Sequence, residues 1–515
     1  MATGVFVEMY LSSAWRDISG DVLMSVPLRA TRGIQGHSPS DRVASVGTMS
    51  FALINLASNS GSAGGYYSPT HANARADFTH GAKVRVKLSS DDPSVSRCIW
   101  NGRVKTIHPE PGSTGSGRTF VTATDIMDRL GRIEALALPL LTGVTADAAV
   151  QDLIDQLTDA PENTSLSTGS DTLPIVFDDL GGSTPASLEV LNDLCQTELG
   201  YFYVRGDAAD GETVTWVNRA ARATATSSLT LTEGNLRFGD GIEVPSDLSQ
   251  IYNDVQLTTY PRRVGTSNVV LISADREIGP VDAGGGVQVL HFDYRDPSEE
   301  AIWVGGKTMV TMASTTDWTA NATSGGGGTD LTASFTVVAT YYGSTAKVTI
   351  TNNHATSAGY VRGPSGAAGF QARGLMLSRY SPVVTKKTNS ASITANDNRV
   401  LAMDMPYQAD EQGALGAATF LADSLSSTSN VPTRVRLNTE VHALFASALQ
   451  RDVGDLVTVS EAVTGVSSQE AFINAWEIEV VNGRVGTWWT LAPGNAGNDF
   501  FIFGTSKFGT GRFGF

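Results

Sequence analysis

Cysteine is almost absent from this 515-residue chain: only Cys98 and Cys195 occur, far apart and outside any CxxC or Cys/His cluster. That pattern excludes a disulfide scaffold and a structural zinc site, and both thiols read as small buried hydrophobes. Positive charge is also scarce. Lys and Arg number 36 against 52 Asp and Glu, a formal net charge of −16, and no stretch gathers the basic residues into a stripe. Capture of a phosphate backbone by charge is therefore disfavoured, and nucleic acid is not gripped by sequence. The acidic balance serves solubility, or repels DNA that has to slide past. No segment offers 18 uncharged apolar residues, so no stable membrane segment is expected. The opening MATGVFVEMYLSSAW lacks the basic-then-apolar order of a signal segment, which points to a cytoplasm or an assembled particle.

Recognisable catalytic patterns are missing as well. His37, His71, His80, His108, His291, His354 and His442 are scattered without ligand spacing such as HExxH, and no Gly-x-Ser-x-Gly elbow occurs. Gly509, Gly511 and Gly514 spell GxGxxG, but only Phe515 follows, where a dinucleotide site needs a helix and a distant acid. The glycine run 325–328 lacks a strand before it and a helix after it, so it is no phosphate cradle. The pairs Asp91-Asp92 and Asp178-Asp179 suit calcium or acid/base chemistry in principle. With 52 acidic residues, such neighbours are expected by number, and they read as solvated loops. No catalytic, cofactor-binding or metal-binding residue is assigned, and no enzymatic activity is expected.

What the chain does have is glycine, 53 residues of it, and short alternating runs, the composition of a mainly β protein long enough for several domains. From 1 to 130, MSFAL and KVRVKL alternate apolar and polar residues with period two, with Val84, Val86 and Leu88 inward. Asn101-Gly102 sits between two strand-like runs and predicts a tight hairpin. This unit reads as a small barrel or sandwich. From 131 to 235 the pattern turns to α+β. Thr145 is a candidate N-cap, and Val150, Leu153, Ile154 and Leu157 share one helix face. A second helix is predicted from Thr184-Pro185 to Gly200 with Leu188, Leu191, Cys195 and Leu199 inward, followed by strands in YFYVRGDAADGETVTWV. Residues 236–295 and 376–493 read as a second β-barrel region with a helix carrying Ala414, Ala418, Leu421 and Leu425. Its last hairpin turns at Asn482-Gly483, with Phe472, Trp476, Ile478 and Val480 on one face. Between these, 296–375 reads as an inserted β-sandwich, with SFTVVATYY and AKVTITNN joined at Gly343-Ser344. No repeat of 20 to 50 residues is sustained, which excludes a solenoid.

Two aromatic groups stand out as candidate interface. Phe500, Phe501, Phe503, Phe508, Phe513 and Phe515 crowd residues 494–515 among glycines, which is too little chain to build its own core but suits docking on another surface. Trp488 and Trp489 are adjacent in a strand, so one faces the core and the other a contact or an edge.

The order of the pieces resembles the tail-hub proteins of tailed bacteriophages. WRDISGDV, DRVASVGTMSFALIN, VRVKL and WNGRVKTIHPEPG leading to FVTATDIMDRL resemble their first barrel. TADAAVQDLIDQL, SLEVLNDLCQTELGYFYVRGD and TWVNR resemble the domain inserted in it, and IYNDVQLTTYPR the strand that returns from it. RVRL, RDVGDLVTVSEAVTGV and FINAWEIEV resemble the later barrel region of minor tail proteins of long-tailed phages (siphophages), and 296–375 departs from the minimal hub. The resemblance implies two hub-type β-barrels, one interrupted by an α/β domain. It also implies a homotrimeric ring that adapts the six-fold tail tube to a three-fold tip. The implied partners are the distal tail protein, the tape-measure protein and fibre or spike proteins, with DNA passing transiently and without sequence recognition. The implied location is the virion tail tip, assembled in the host bacterial cytoplasm. Two other readings remain open: a receptor-binding or glycan-binding tail protein that uses the 296–375 sandwich, and the six-copy distal tail adaptor.

Overall fold

The computed structural model describes residues 3–91, 94–111, 117–133, 138, 140–178, 185–206, 212–294, 303–342, 345–364, 367–427, 431–494, 500–501 and 512–513. Strand is the dominant element. The first unit contributes β1 (Thr3–Leu11), β2 (Ala14–Asp17), β3 (Leu28–Gly33), β4 (Ser45–Ile54), β5 (Lys83–Asp91), β6 (Ser94–Glu110) and β7 (Arg118–Thr124). They lie in the order β2-β1-β5-β6-β7-β4-β3, antiparallel throughout. The alternation read from the sequence sets their faces: Met49, Phe51, Leu53, Val84, Val86 and Leu88 are all buried.

The sheet continues past β3 with strands from the other end of the chain. β3 pairs with Val466–Val481, Leu28 opposite Val480 and Gly33 opposite Ala475. That strand carries Arg484–Pro493 over one half of its length, and near its start it also pairs with Leu456–Glu461. Arg434–Arg436 and Ile242–Glu243 extend the far side. The result is one 13-stranded sheet around a single core that mixes Val7, Trp100 and Val121 with Val435, Ile473 and Trp489. The helix His442–Leu449 packs on β5 and β6 and puts Leu444, Phe445 and Leu449 into that core. The protein is mainly β as expected; the first unit and the strands of 242–243 and 434–493 are parts of this one sheet, which does not close among the described residues, while the other strands of the second unit lie in separate sheets.

One expected turn is absent. Asn101 and Gly102 lie inside the 17-residue strand β6, opposite Arg85 and Val84, and the β5–β6 hairpin reverses between Asp91 and Ser94. A Cβ on Gly102 would overlap the Thr124 carbonyl and the Trp100 ring, so glycine serves close strand approach here and not a turn. At Asn482-Gly483 the same dipeptide does turn, with φ of 48° and 75°, between Val481 and Arg484.

The inserted unit holds α1 (Ile126–Leu130), α2 (Ala146–Asp155), α3 (Ser187–Glu198) and α4 (Arg219–Ala223). Thr145 is the N-cap residue of α2, and Val150, Leu153 and Ile154 are buried as the spacing predicts. The second helix begins at Ser187, not at Thr184, which lies outside the described residues; Leu199 closes it in a left-handed conformation, φ 54°. Three strands complete the unit: Tyr201–Arg205 antiparallel to Thr213–Val217, which runs parallel to Asn163–Leu166. A separate small core forms where Asp254–Thr259, flanked by Val383–Thr388 and Val400–Met405, packs on the helix Glu411–Ser424, which buries Ala414, Ala418 and Leu421. A fourth core joins Leu271 and Ile272 to Trp318, Phe335, Val348, Phe370 and Ala372, so strands that precede 296 share it with those of 296–375. The Gly343-Ser344 turn lies outside the described residues.

Candidate functional site

The small sheet of the inserted unit has two unlike faces. Phe202, Val204, Val214 and Trp216 point one way and are buried with α2 and α3. The alternate positions point the other way and are polar: Arg205, Thr213 and Asn163 form one row across the strands, and Tyr203, Thr215 and Ser165 form the next. Above this face sit Ala221 and Arg222 of α4, Ala225, and Gly454 and Phe472 from the last part of the chain. Together they line an open cavity of about 580 Å³. Gly454 is required there, because its φ is +92° and a Cβ would overlap the Tyr203 phenol.

Arg222 is the unusual group in this wall. It is 8% exposed, with its guanidinium 3.7 Å above the Tyr201 ring and 4.1 Å from the Phe472 ring. Its one described hydrogen bond goes to the Asn474 side-chain oxygen at 2.8 Å. Burial pulls the Arg222 guanidinium below its ordinary range. Arg42 approaches Tyr201 too, 5.0 Å from the ring, and donates to the Leu199 carbonyl. Burial raises the Tyr201 phenol, but the two guanidiniums outweigh it and hold the group below its usual value. Arg205, by contrast, is paired with Asp455 at 3.3 Å.

Charge pairs, some buried and some partly exposed, tie the units to one another. Arg262 grips Asp178 with two hydrogen bonds, 2.5 and 3.0 Å, and the two side chains are 1% and 2% exposed. Asp178 is thus a buried ion-pair partner and not the solvated loop residue expected from sequence; Asp92 and Asp179 lie outside the described residues. Arg129 of α1 holds both Asp159 and Glu212, and Arg103 shares Asp159, which ties β6 to the inserted unit. Arg32 meets Asp452 at 2.7 Å beneath the long sheet.

A second polar cluster lies at the end of α3. Glu198 accepts from the Ser170 N–H, beside Asp171, which is paired with Arg219 and takes a hydrogen bond from Gln408. Burial pushes the Glu198 carboxyl up to about 7; the Ser170 N–H opposes the rise and the negative Asp171 adds to it. The folded value exceeds the ordinary 4.5, so the native state favours the proton and this group costs stability as pH rises from about 4.5 through 7. Glu198→Gln is expected to remove a loss of order 1–3 kcal/mol across that range. Urea unfolding at pH 5 and pH 8 checks it: the wild-type difference should exceed that of the variant.

The residues singled out from sequence fall in different places. Trp489 is fully buried, 6.4 Å from Trp476. Trp488 faces the opposite side, half-buried under Arg436 at 4.4 Å and Arg434 at 5.8 Å. Phe500–Phe501 and Arg512–Phe513 form two short parallel strands. The side chains of Phe500, Phe501 and Phe513, and the whole of Phe503, Phe508 and Phe515, lie outside the described residues. Both cysteines are buried, which pushes their thiols up, to about 11 at Cys98 and about 12 at Cys195. Among the described residues no group of three His, Cys, Asp or Glu is arranged to hold a metal, and no helix is long and apolar enough to cross a membrane. The cavity itself escaped the sequence reading. The polar odd-numbered positions of 201–217 are visible in the sequence, but Gly454 and Phe472 are some 250 residues away.

No protein-family model and no curated protein matches the chain. Among solved structures it is similar to the 43 kDa tail protein of prophage MuSo2 from Shewanella oneidensis, at 9% identity and a TM-score of 0.46, covering 95% of this chain and 99% of that one. It is also similar to a tail protein from Neisseria meningitidis, at 9% identity and a TM-score of 0.45, covering 96% and 97%. A third is a prophage tail protein from Listeria monocytogenes, at 8% identity and a TM-score of 0.40, covering 94% of each chain.

Proposed function

We propose that the chain is a structural component of a bacteriophage-type tail, the hub of the tail tip, whose work lies in interfaces and not in catalysis. The observation that carries this reading is the long sheet: the start and end of the chain build it together, and the inserted unit is tied to it by the Arg103–Asp159 and Arg205–Asp455 ion pairs. Such an arrangement makes a stiff platform from which surfaces are presented at fixed angles. In the assembled virion three copies form a ring that closes or adapts the distal end of the tail tube, anchors fibre or spike proteins, contacts the distal tail and tape-measure proteins, and leaves a channel for DNA. The Phe/Gly segment 494–515 docks on a neighbouring subunit or tail protein. Light scattering on the purified chain, with and without 494–515, tests the reading. A trimer that dissociates on truncation while each chain stays folded is expected. A monodisperse monomer at every concentration, unchanged by truncation, removes the support for both ring and docking.

The glycan-binding reading has one observation in its favour. The strands Gly286–Asp293, Thr345–Asn352 and Phe335–Tyr341 expose Val289 and Val338 on one row, with Thr349 between them, and Val287 on the next. Saturable retention of the full chain on a glycan array, lost on Val338→Glu, would move the assignment there.

A further inference from the structure

A buried cation is stable only where something compensates the water it has lost. Arg222 receives two aromatic faces and one neutral amide oxygen, and no described carboxylate pairs with it. The same cavity wall carries a polar group without a partner: Thr215 is 5% exposed, and its hydroxyl has no hydrogen-bond partner. Tyr203, Ser165, Thr213 and Asn163 surround it with further hydroxyl and amide groups. We propose that the cavity between the inserted sheet and the Gly454–Phe472 wall binds the oxyanion of a small ligand, a carboxylate or a phosphate, seated on Arg222 and Thr215.

The geometry fixes the polarity of the site. Asp455 neutralises Arg205 at one end and repels an anion there, so the charged group of the ligand sits at the Arg222 end. A guanidinium packed against two aromatic rings is restrained in its motion, and its planar N–H donors form the fork that carboxylate and phosphate oxygens accept. The roughly 580 Å³ volume fits a small molecule, and the remaining hydroxyls suit a polar body attached to the anionic group. This inference is independent of the tail assignment, since it rests on the wall residues alone.

Titration calorimetry of the full chain with inorganic phosphate and, separately, with citrate tests the site. One saturable site per chain is expected for at least one of them. Binding by phosphate alone assigns a phosphoryl group, and binding by citrate alone assigns a carboxylate. Arg222→Gln should weaken binding by about ten-fold or more, Arg222→Lys should leave it weaker than wild type, and Thr215→Val should weaken it by about three- to ten-fold. Lys387→Gln, an exposed change on the Val383–Thr388 strand, should leave it unchanged. Thr215→Val keeps the side-chain shape, so it carries the test if Arg222→Gln fails to fold. Absence of saturable binding by either ion, or binding insensitive to Thr215→Val and to every folded Arg222 variant, overturns the proposal.

Discussion

Arg262→Met is expected to destabilise the protein by about 3–5 kcal/mol, because it leaves the Asp178 carboxylate buried without its partner. The Arg262 guanidinium does more than pair with Asp178. It also donates to the Tyr260 carbonyl at 2.9 Å and the Pro406 carbonyl at 2.7 Å, so one side chain holds the inserted unit to two points of the chain beyond it. The same pair replaced on both sides, Arg262→Met with Asp178→Leu, should recover much of the loss, since two apolar side chains avoid the desolvation that the lone charge suffers. Urea unfolding followed by tryptophan fluorescence measures both. A single-variant loss under about 1 kcal/mol would mean that water reaches Asp178, and that the pair does not fasten the units.

The two adjacent tryptophans should respond in opposite ways. Trp489→Ala removes a fully buried ring from the shared core and is expected to cost about 3–5 kcal/mol. Trp488→Ala removes a half-buried ring stacked with Arg434 and Arg436 and should cost about 1 kcal/mol or less in the isolated chain. If the outward face of this strand touches a neighbouring subunit, Trp488→Ala weakens assembly in light scattering while the unfolding midpoint hardly moves. Equal stability losses for the two variants would show that the strand is packed on both faces within one chain.

Much of the architecture is visible in the sequence where the physics is local. The period of two in KVRVKL and MSFAL names their buried residues, and the spacing of Val150, Leu153 and Ile154 names a helix face. Asn482-Gly483 turns where its two positive φ angles are needed. Asn101-Gly102 shows where local signals fail: the same dipeptide is kept straight by a neighbouring backbone that leaves room only for glycine. The acids of Asp178-Asp179 look solvated for a similar reason, since Arg262 lies 84 residues further on and nothing near Asp178 announces it.

The sequence by itself determined the β-rich class and the buried faces of β4, β5 and the helix Ala146–Asp155, but not that of Val466–Val481, where a bulge between Ile473 and Ala475 turns Phe472 away from Trp476, Ile478 and Val480. The features it determined depend on residue type and near-neighbour spacing, which the chain carries in one dimension. The tertiary structure decided that the first and last strands share one sheet, that Trp489 and not Trp488 faces the core, and that Arg222 is buried against Phe472 beside a polar cavity. Those outcomes depend on contacts between segments hundreds of residues apart. There, burial of apolar surface and compensation of charge are settled by which surfaces meet, and a sequence pattern cannot state that in advance.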